Sequence, residues 1–287
     1  MAVSETLQRT LVAAVGAPIA VGVVYAGGWP LALLLAVISA LAALEFYRMA
    51  ERKLARALAP AGAAAAAAFV LLAALRPERG IEGLGIWPLV VLLVLGSSVA
   101  AIWLRGVEGE PLLSLSVTLF GAIYTGGLLS HALLLRHLPG VEGPWHGTAL
   151  VFAPVLLTWA SDTFAYFAGR TWGRRKLIPR VSPGKTVEGA TGALLGTILV
   201  AAAYSWVLGL FATYRLSLLQ AVVLGVLISV AAQVGDLVES LLKRDAGVKD
   251  SGTLLPGHGG ALDRFDSLLF TLPIAYGFFR LVEGGFG

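Results

Sequence analysis

Hydrophobic residues fall into nine long runs along the chain, at about 11 to 28, 30 to 46, 57 to 75, 86 to 104, 112 to 135, 149 to 169, 189 to 211, 216 to 234 and 267 to 282. Each is near the roughly 20 apolar residues that a helix needs to cross a bilayer. The first two are separated only by Gly27, Gly28, Trp29 and Pro30, a turn signal inside one apolar stretch. The pattern predicts an all-α, polytopic integral membrane protein of about nine transmembrane helices. It divides into N-terminal spans over 1–140 and a C-terminal catalytic region over 149–287, in one membrane-embedded unit with no separate soluble domain. The first run is read as a span rather than a cleavable signal, because its basic region is only Arg9 and eight further runs follow.

Composition strengthens this reading. Hydrophobic residues make up 57% of the chain and charged residues 13%, against about a quarter charged in ordinary soluble domains. The absence of cysteine excludes thiolate catalysis, disulfides and thiolate metal sites. A net charge of +4 raises the question of nucleic acid, but the basic residues are scattered among loops, so no nucleic-acid partner is expected. Topology explains them better. In a nine-span arrangement the N-terminus and even-numbered loops carry Arg9, Arg48, Arg52, Lys53, Arg56, Arg105, Arg170, Arg174, Arg175, Lys176, Arg180, Lys185, Lys243, Arg244, Lys249 and Arg264, 16 of the 21 basic residues. The opposite face has Arg76, Arg79, Arg136, Arg215 and Arg280. The positive-inside rule then places the N-terminus and the charged loops in the cytoplasm, with the chain in the cell's inner membrane. Arg48, Arg52, Lys53, Arg56 and Arg105 are read as orientation signals contacting lipid headgroups. The alanine run at 63–68 is read as helix packing or lipid-facing filler, and His131, His137 and His146 as structural or interfacial.

Candidate chemistry is concentrated in two connections. Between Gln233 and Asp266 lie five Asp, one Glu, two Lys, two Arg and one His. Ionisable groups at a bilayer are expensive, and a dense cluster points to function. If the eighth helix continues through Ser240, Asp236, Glu239, Ser240 and Lys243 share one face. Gly257, Gly259 and Gly260 around His258 allow close backbone approach to a ligand. Asp263 and Asp266 open the ninth helix, where carboxylates also serve as caps. Asp236, Asp250, Asp263 and Asp266 together resemble oxygen ligands for a hard cation such as Mg²⁺. The other connection, after the sixth run, carries Asp162 about 12 Å inside the cytosolic helix end, a depth that calls for a polar cavity. Its Ser182-Pro-Gly-Lys185-Thr186-Val-Glu188-Gly stretch is like a phosphate-gripping loop in composition only, without the P-loop glycine order.

Ser240, Lys243, Arg244, Lys249, Asp250, Gly252, Pro256, His258, Gly259, Gly260, Asp263, Arg264 and Asp266 resemble, in order and spacing, the signature of CDP-diacylglycerol synthases, the phosphatidate cytidylyltransferases. The patterns at Ser161 to Arg170, Ser182 to Gly189 and Gln233 to Ser240 are also similar to that family, while the first half resembles it only as a string of spans. Ala261 departs from the bulkier aliphatic usual there. The resemblance implies transfer of cytidylate from CTP to phosphatidate, giving CDP-diacylglycerol and pyrophosphate for phospholipid synthesis. It implies Mg²⁺, with a second cation admitted beside it. By that analogy Asp236 and Asp263 are the first choice of metal ligands and Asp250 and Asp266 the second. Lys185, Lys243, Arg244, Lys249 and Arg264 would contact phosphates. His258 is either a hydrogen-bond donor to the leaving group or structural. Asp162, Ser182, Lys185, Thr186, Glu188, Gly259 and Gly260 are assigned to substrate. The expected partners are CTP, phosphatidate and membrane lipids, with a homodimer entertained but supported by no particular residue.

Two other activities compete. A CTP-dependent polyprenol or phytol kinase would transfer a γ-phosphate to an alcohol and would have to activate a neutral hydroxyl. An ion-coupled transporter would bury acids such as Asp162 but does not explain the acids collected in a Gly-rich cytosolic loop.

Overall fold

The computed structural model describes residues 5–53, 56–75, 77, 86–141, 143–211, 216–252 and 259–283. Each apolar run forms a helix: α1 Glu5–Ala26, α2 Gly28–Glu51, α3 Ala59–Leu75, α4 Ile86–Leu104, α5 Pro111–Arg136, α6 Pro144–Trp172, α7 Val187–Phe211, α8 Leu218–Asp245 and α9 Leu262–Glu283. Among the described residues, seven are long and apolar enough to cross a membrane; α3, with 17 residues, is shorter, as is the described apolar part of α1 at Gly16–Ala26. The protein is a multi-pass membrane protein. Several helices outrun their apolar core. α2 continues to Glu51 and α8 to Asp245, so Arg48 and Lys243 extend from helices rather than loops. The connection after α6 is not wholly irregular. It holds an antiparallel hairpin, β1 Lys176–Ile178 and β2 Ser182–Thr186, pairing Lys176 with Thr186 and Ile178 with Ser182 across an irregularity.

The chain forms two compact units: Met1–Pro139 with Asp245–Phe265, and Gly140–Arg244 with Asp266–Gly287. The charged signature segment thus groups with the N-terminal helices, and α9 passes from the first unit into the second after Phe265.

In the first unit, α2 and α3 pack through small residues. A Cβ at Gly62 would lie 2.5 Å from Cζ of the fully buried Tyr47. The Tyr47 hydroxyl donates to the Thr118 carbonyl at 2.8 Å, and Thr118 Oγ1 accepts the Leu58 N–H at 2.8 Å. Ala63, Ala65 and Ala66 are buried, so the alanine run is a packing surface. Two arginines also have structural work. Arg105 donates to the carbonyls of Arg56 and Ala57 at 3.0 and 2.8 Å, tying the α2–α3 connection to the end of α4. Arg136, 8% exposed, donates to the Val24 and Tyr25 carbonyls, the acceptors left over at the C-terminus of α1. Within α5, Ile123–Gly127 forms one π turn.

In the second unit, α6 and α7 approach closely through glycines. A Cβ at Gly189 would lie 2.9 Å from the Ala165 carbonyl oxygen and 3.3 Å from Gly169 Cα. Gly235 gives α8 a similar approach to α9, since a Cβ there would meet the Asp266 carbonyl and Ser267 Cα at 3.0 Å.

Candidate active site

In the second unit, α6, α7, α8 and the hairpin surround a cavity of about 590 Å³, within the range of small-molecule sites. Asp162, Tyr166 and Arg170 line it from α6, Lys185 and Thr186 from β2, and Gln233 and Asp236 from α8. Lys185 Nζ lies 2.8 Å from Asp236 Oδ2. Asp162 is within electrostatic reach of Lys185, Asp236 and Asp266, of which Lys185 and Asp236 line the cavity with it. Gly235 accounts for part of this, because it lets α8 approach α9 closely at Asp266 and Ser267.

The hairpin is held by its own polar groups. Thr186 Oγ1 accepts the Gly189 N–H at 3.0 Å, an N-cap on α7. Glu188 accepts the N–H groups of Arg174 and Arg175 and pairs with the Arg175 guanidinium at 3.7 Å. Lys185 is therefore delivered to the cavity by a hairpin fastened at its open end, where β2 runs into α7. Glu188 supports that strand and is not among the cavity-lining residues, and Ser182 sits at the strand's start, opposite Ile178. Arg170 donates to the Tyr166 hydroxyl at 2.7 Å and lies 5.9 Å from its ring centroid.

The expected stripe on α8 resolves into two pairs. Ser240 Oγ donates to Asp236 Oδ1 at 3.2 Å, and Lys243 Nζ is 2.6 Å from Glu239 Oε2, with Glu239 only 1% exposed. Asp266 has Asp236, Glu239 and Lys243 as electrostatic neighbours. Arg244 is exposed at the end of the helix.

The first unit holds the remaining signature residues. Lys249, Asp250 and Arg264 are exposed, and His258 lies outside the described residues. Asp263 Oδ2 accepts the Gly260 N–H at 2.8 Å and the Ser251 N–H at 3.0 Å. Gly259 has φ +81°, and a Cβ there would also lie 2.7 Å from Asp263 Oδ2. A residue outside the expected set completes this arrangement. Glu45 on α2, 4% exposed, accepts the Ser251 hydroxyl at 3.0 Å, the Ala261 N–H at 3.0 Å and the Leu262 N–H at 2.9 Å. Its only signal in the sequence is that it is a lone acid at the end of an apolar run.

The cytidylyltransferase family matches residues 7–282, nearly the whole chain. The chain belongs to the cytidylyltransferase family. Among the relatives of the chain, the phosphatidate cytidylyltransferase of Synechocystis sp. is 32% identical over 96% of this chain and 97% of its own length. Phosphatidate cytidylyltransferase 5, chloroplastic, of Arabidopsis thaliana is 36% identical over 91% of this chain and 68% of its own length. An uncharacterized protein of Escherichia coli, YnbB, is 46% identical over 60% of this chain and 57% of its own length. The chain spans less than two thirds of YnbB and about two thirds of the Arabidopsis protein.

Around the cavity the acidic donors are the carboxylates of Asp162 and Asp236, with no sulfur or imidazole among the lining residues, a donor chemistry that fits a hard cation. Among the described residues no three Asp, Glu or His side chains gather tightly enough to hold an ion by themselves.

Proposed function

We propose that this protein transfers cytidylate from CTP to phosphatidate, yielding CDP-diacylglycerol and pyrophosphate. The observation that carries the reading is the cavity in the second unit, which brings carboxylates and Lys185 together among apolar spans. A phosphate monoester carries about −1.5 to −2 charges at neutral pH, so phosphatidate is already a nucleophile and no general base is needed. One of its oxygens bonds to the α-phosphorus of CTP while the bond from that phosphorus to the bridging oxygen breaks in line. The electron pair leaves with pyrophosphate. The protein's task is to align two polyanions and offset their charge.

Lys185 supplies the positive charge at the cavity, and Asp236 orients it through the 2.8 Å ion pair. Arg170, steered by Tyr166, adds a second cation at the wall. Mg²⁺ would be held by Asp236 with Asp266, where it would neutralise phosphate charge as a Lewis acid. Asp263, Asp250 and the exposed Lys249 and Arg264 belong to the signature segment and are proposed to support phosphate binding. The diacyl tails stay in lipid. The chain is placed in the inner membrane with its charged loops in the cytoplasm, on the side of CTP, following the basic-residue bias.

The deciding experiment supplies purified protein in detergent with CTP, Mg²⁺ and phosphatidate and follows pyrophosphate together with CDP-lipid. Formation of CDP and a phosphorylated lipid alcohol instead would overturn the reading in favour of a kinase. Orientation is tested separately in this cysteine-free chain. Leu218→Cys, exposed at the start of α8, should label from outside intact cells, whereas Glu108→Cys should not.

A further inference from the structure

We infer that Glu45 is a positioning residue of the transfer reaction, fixing the signature segment through a carboxylate clasp. The inference rests on the transferase reading given above. Glu45 stands near the end of the apolar run of α2, where an ionised carboxylate needs compensation. It receives three hydrogen bonds, all from one segment: the Ser251 hydroxyl and the backbone N–H groups of Ala261 and Leu262. Two of those N–H groups open α9, where helical donors have no intrahelical acceptor and the dipole favours negative charge.

The contact is too close for ordinary side chains. A Cβ on Gly252 would lie 2.6 Å from Glu45 Oε1, and one on Gly260 would strike both Glu45 Oε2 and Ser251 Oγ. Glycine at 252 and 260 therefore serves the carboxylate, not only a ligand. Asp263 closes a second clasp by accepting the Ser251 and Gly260 N–H groups. Residues 251–252 and 259–263 are thus tied to each other and to α2 by two carboxylates. Arg264 follows immediately, and Lys249 and Asp250 immediately precede, so the charged groups of the signature take their positions from the clasp. Glu45 acts through the backbone it holds, its carboxylate being taken up by the Ser251, Ala261 and Leu262 donors.

The test compares wild type, Glu45→Gln, Glu45→Asp and Ser39→Ala as purified full-length proteins. Glutamine keeps the size but turns an NH₂ group toward donors that need an acceptor. For Glu45→Gln, kcat should fall about 10-fold to 100-fold, the loss typical when support of a reacting group is removed. KM for CTP should stay within about 3-fold, since placement rather than uniform binding is lost. Amide hydrogen exchange in peptides covering 259–266 should accelerate in parallel. Glu45→Asp, with the charge retained, should recover part of both effects. Ser39→Ala, buried on the same helix, should match wild type in both. Wild-type kcat in Glu45→Gln, or unchanged exchange, overturns the role of Glu45. If Glu45→Gln does not accumulate, Glu45→Asp decides, and wild-type values there overturn it. A wild-type protein that makes no CDP-diacylglycerol overturns the transferase reading itself, a result distinct from an active protein indifferent to residue 45.

Discussion

The buried acid of the first unit and the acids of the second face opposite kinds of partner. Glu45 and Asp263 are turned toward N–H and O–H donors of one segment, so their acceptor capacity goes into holding backbone. Asp162, Asp236 and Asp266 instead feel one another's charge, with Lys185 as the cation paired to Asp236. Carboxylates surrounded by dipoles make a rigid joint. Carboxylates set among one another and a lysine take their character from neighbouring charge rather than from backbone dipoles. Residue type alone does not separate the two uses; the partner atoms do.

The contrast can be broken in four ways. The largest effect is expected at Lys243, whose loss takes the ion-pair partner from the buried Glu239. Lys243→Gln should destabilise the protein by about 3–5 kcal/mol, and the Glu239→Gln/Lys243→Gln double variant should recover much of it. Thermal denaturation in detergent reads both, and equal stability of single and double variants would show that the pair is not what matters. Asp236→Asn comes next. It keeps the side chain's size while removing a charge from the cavity, so kcat should drop about 10²- to 10³-fold with folding preserved. Its Mg²⁺ requirement should rise in the same measurements, and a wild-type Mg²⁺ titration would count against Asp236 as a ligand. Gly260→Ala probes the other regime: a methyl group pressed against Glu45 and Ser251 should cost about 1–3 kcal/mol of stability, visible as a lower melting temperature. Arg52→Gln, outside both arrangements, should change stability by no more than about 0.5 kcal/mol and leave turnover unaltered.

Much of this was legible in the residue pattern. Among the described residues each apolar run lies in a helix, seven of them long and apolar enough to cross a membrane, because an apolar stretch of bilayer length has few alternatives to a helix. Asp162, Lys185 and Asp236, read from separate stretches, line one cavity. Helix ends were less legible: α2 and α8 run on past their apolar cores into charged residues, which are good helix formers. The hairpin at 176–186 was hidden by its Arg, Pro and Gly content, which also describes a loop; Glu188 and Thr186 fasten its open end to α7. Glu45 could not be read from sequence spacing, because its donors lie more than two hundred residues away. Arg105 looks like a topology signal in sequence and Arg136 falls on the face with few basic residues, and only the carbonyls they meet reveal that they bind the fold together.

The π turn at Ile123–Gly127 also governs what lies after it. A π turn accommodates one residue more than an α turn, and one residue is about 100° of helical rotation. The part of α5 from Leu128 to Arg136 is therefore dialled round relative to the part before it. Past the π turn and the turn at Ser130, Arg136 meets the Val24 and Tyr25 carbonyls. Removing a single residue from the turn would leave a smoother helix whose last arginine points away from α1, so a deletion that improves local geometry would unlatch a contact between residues more than a hundred positions apart.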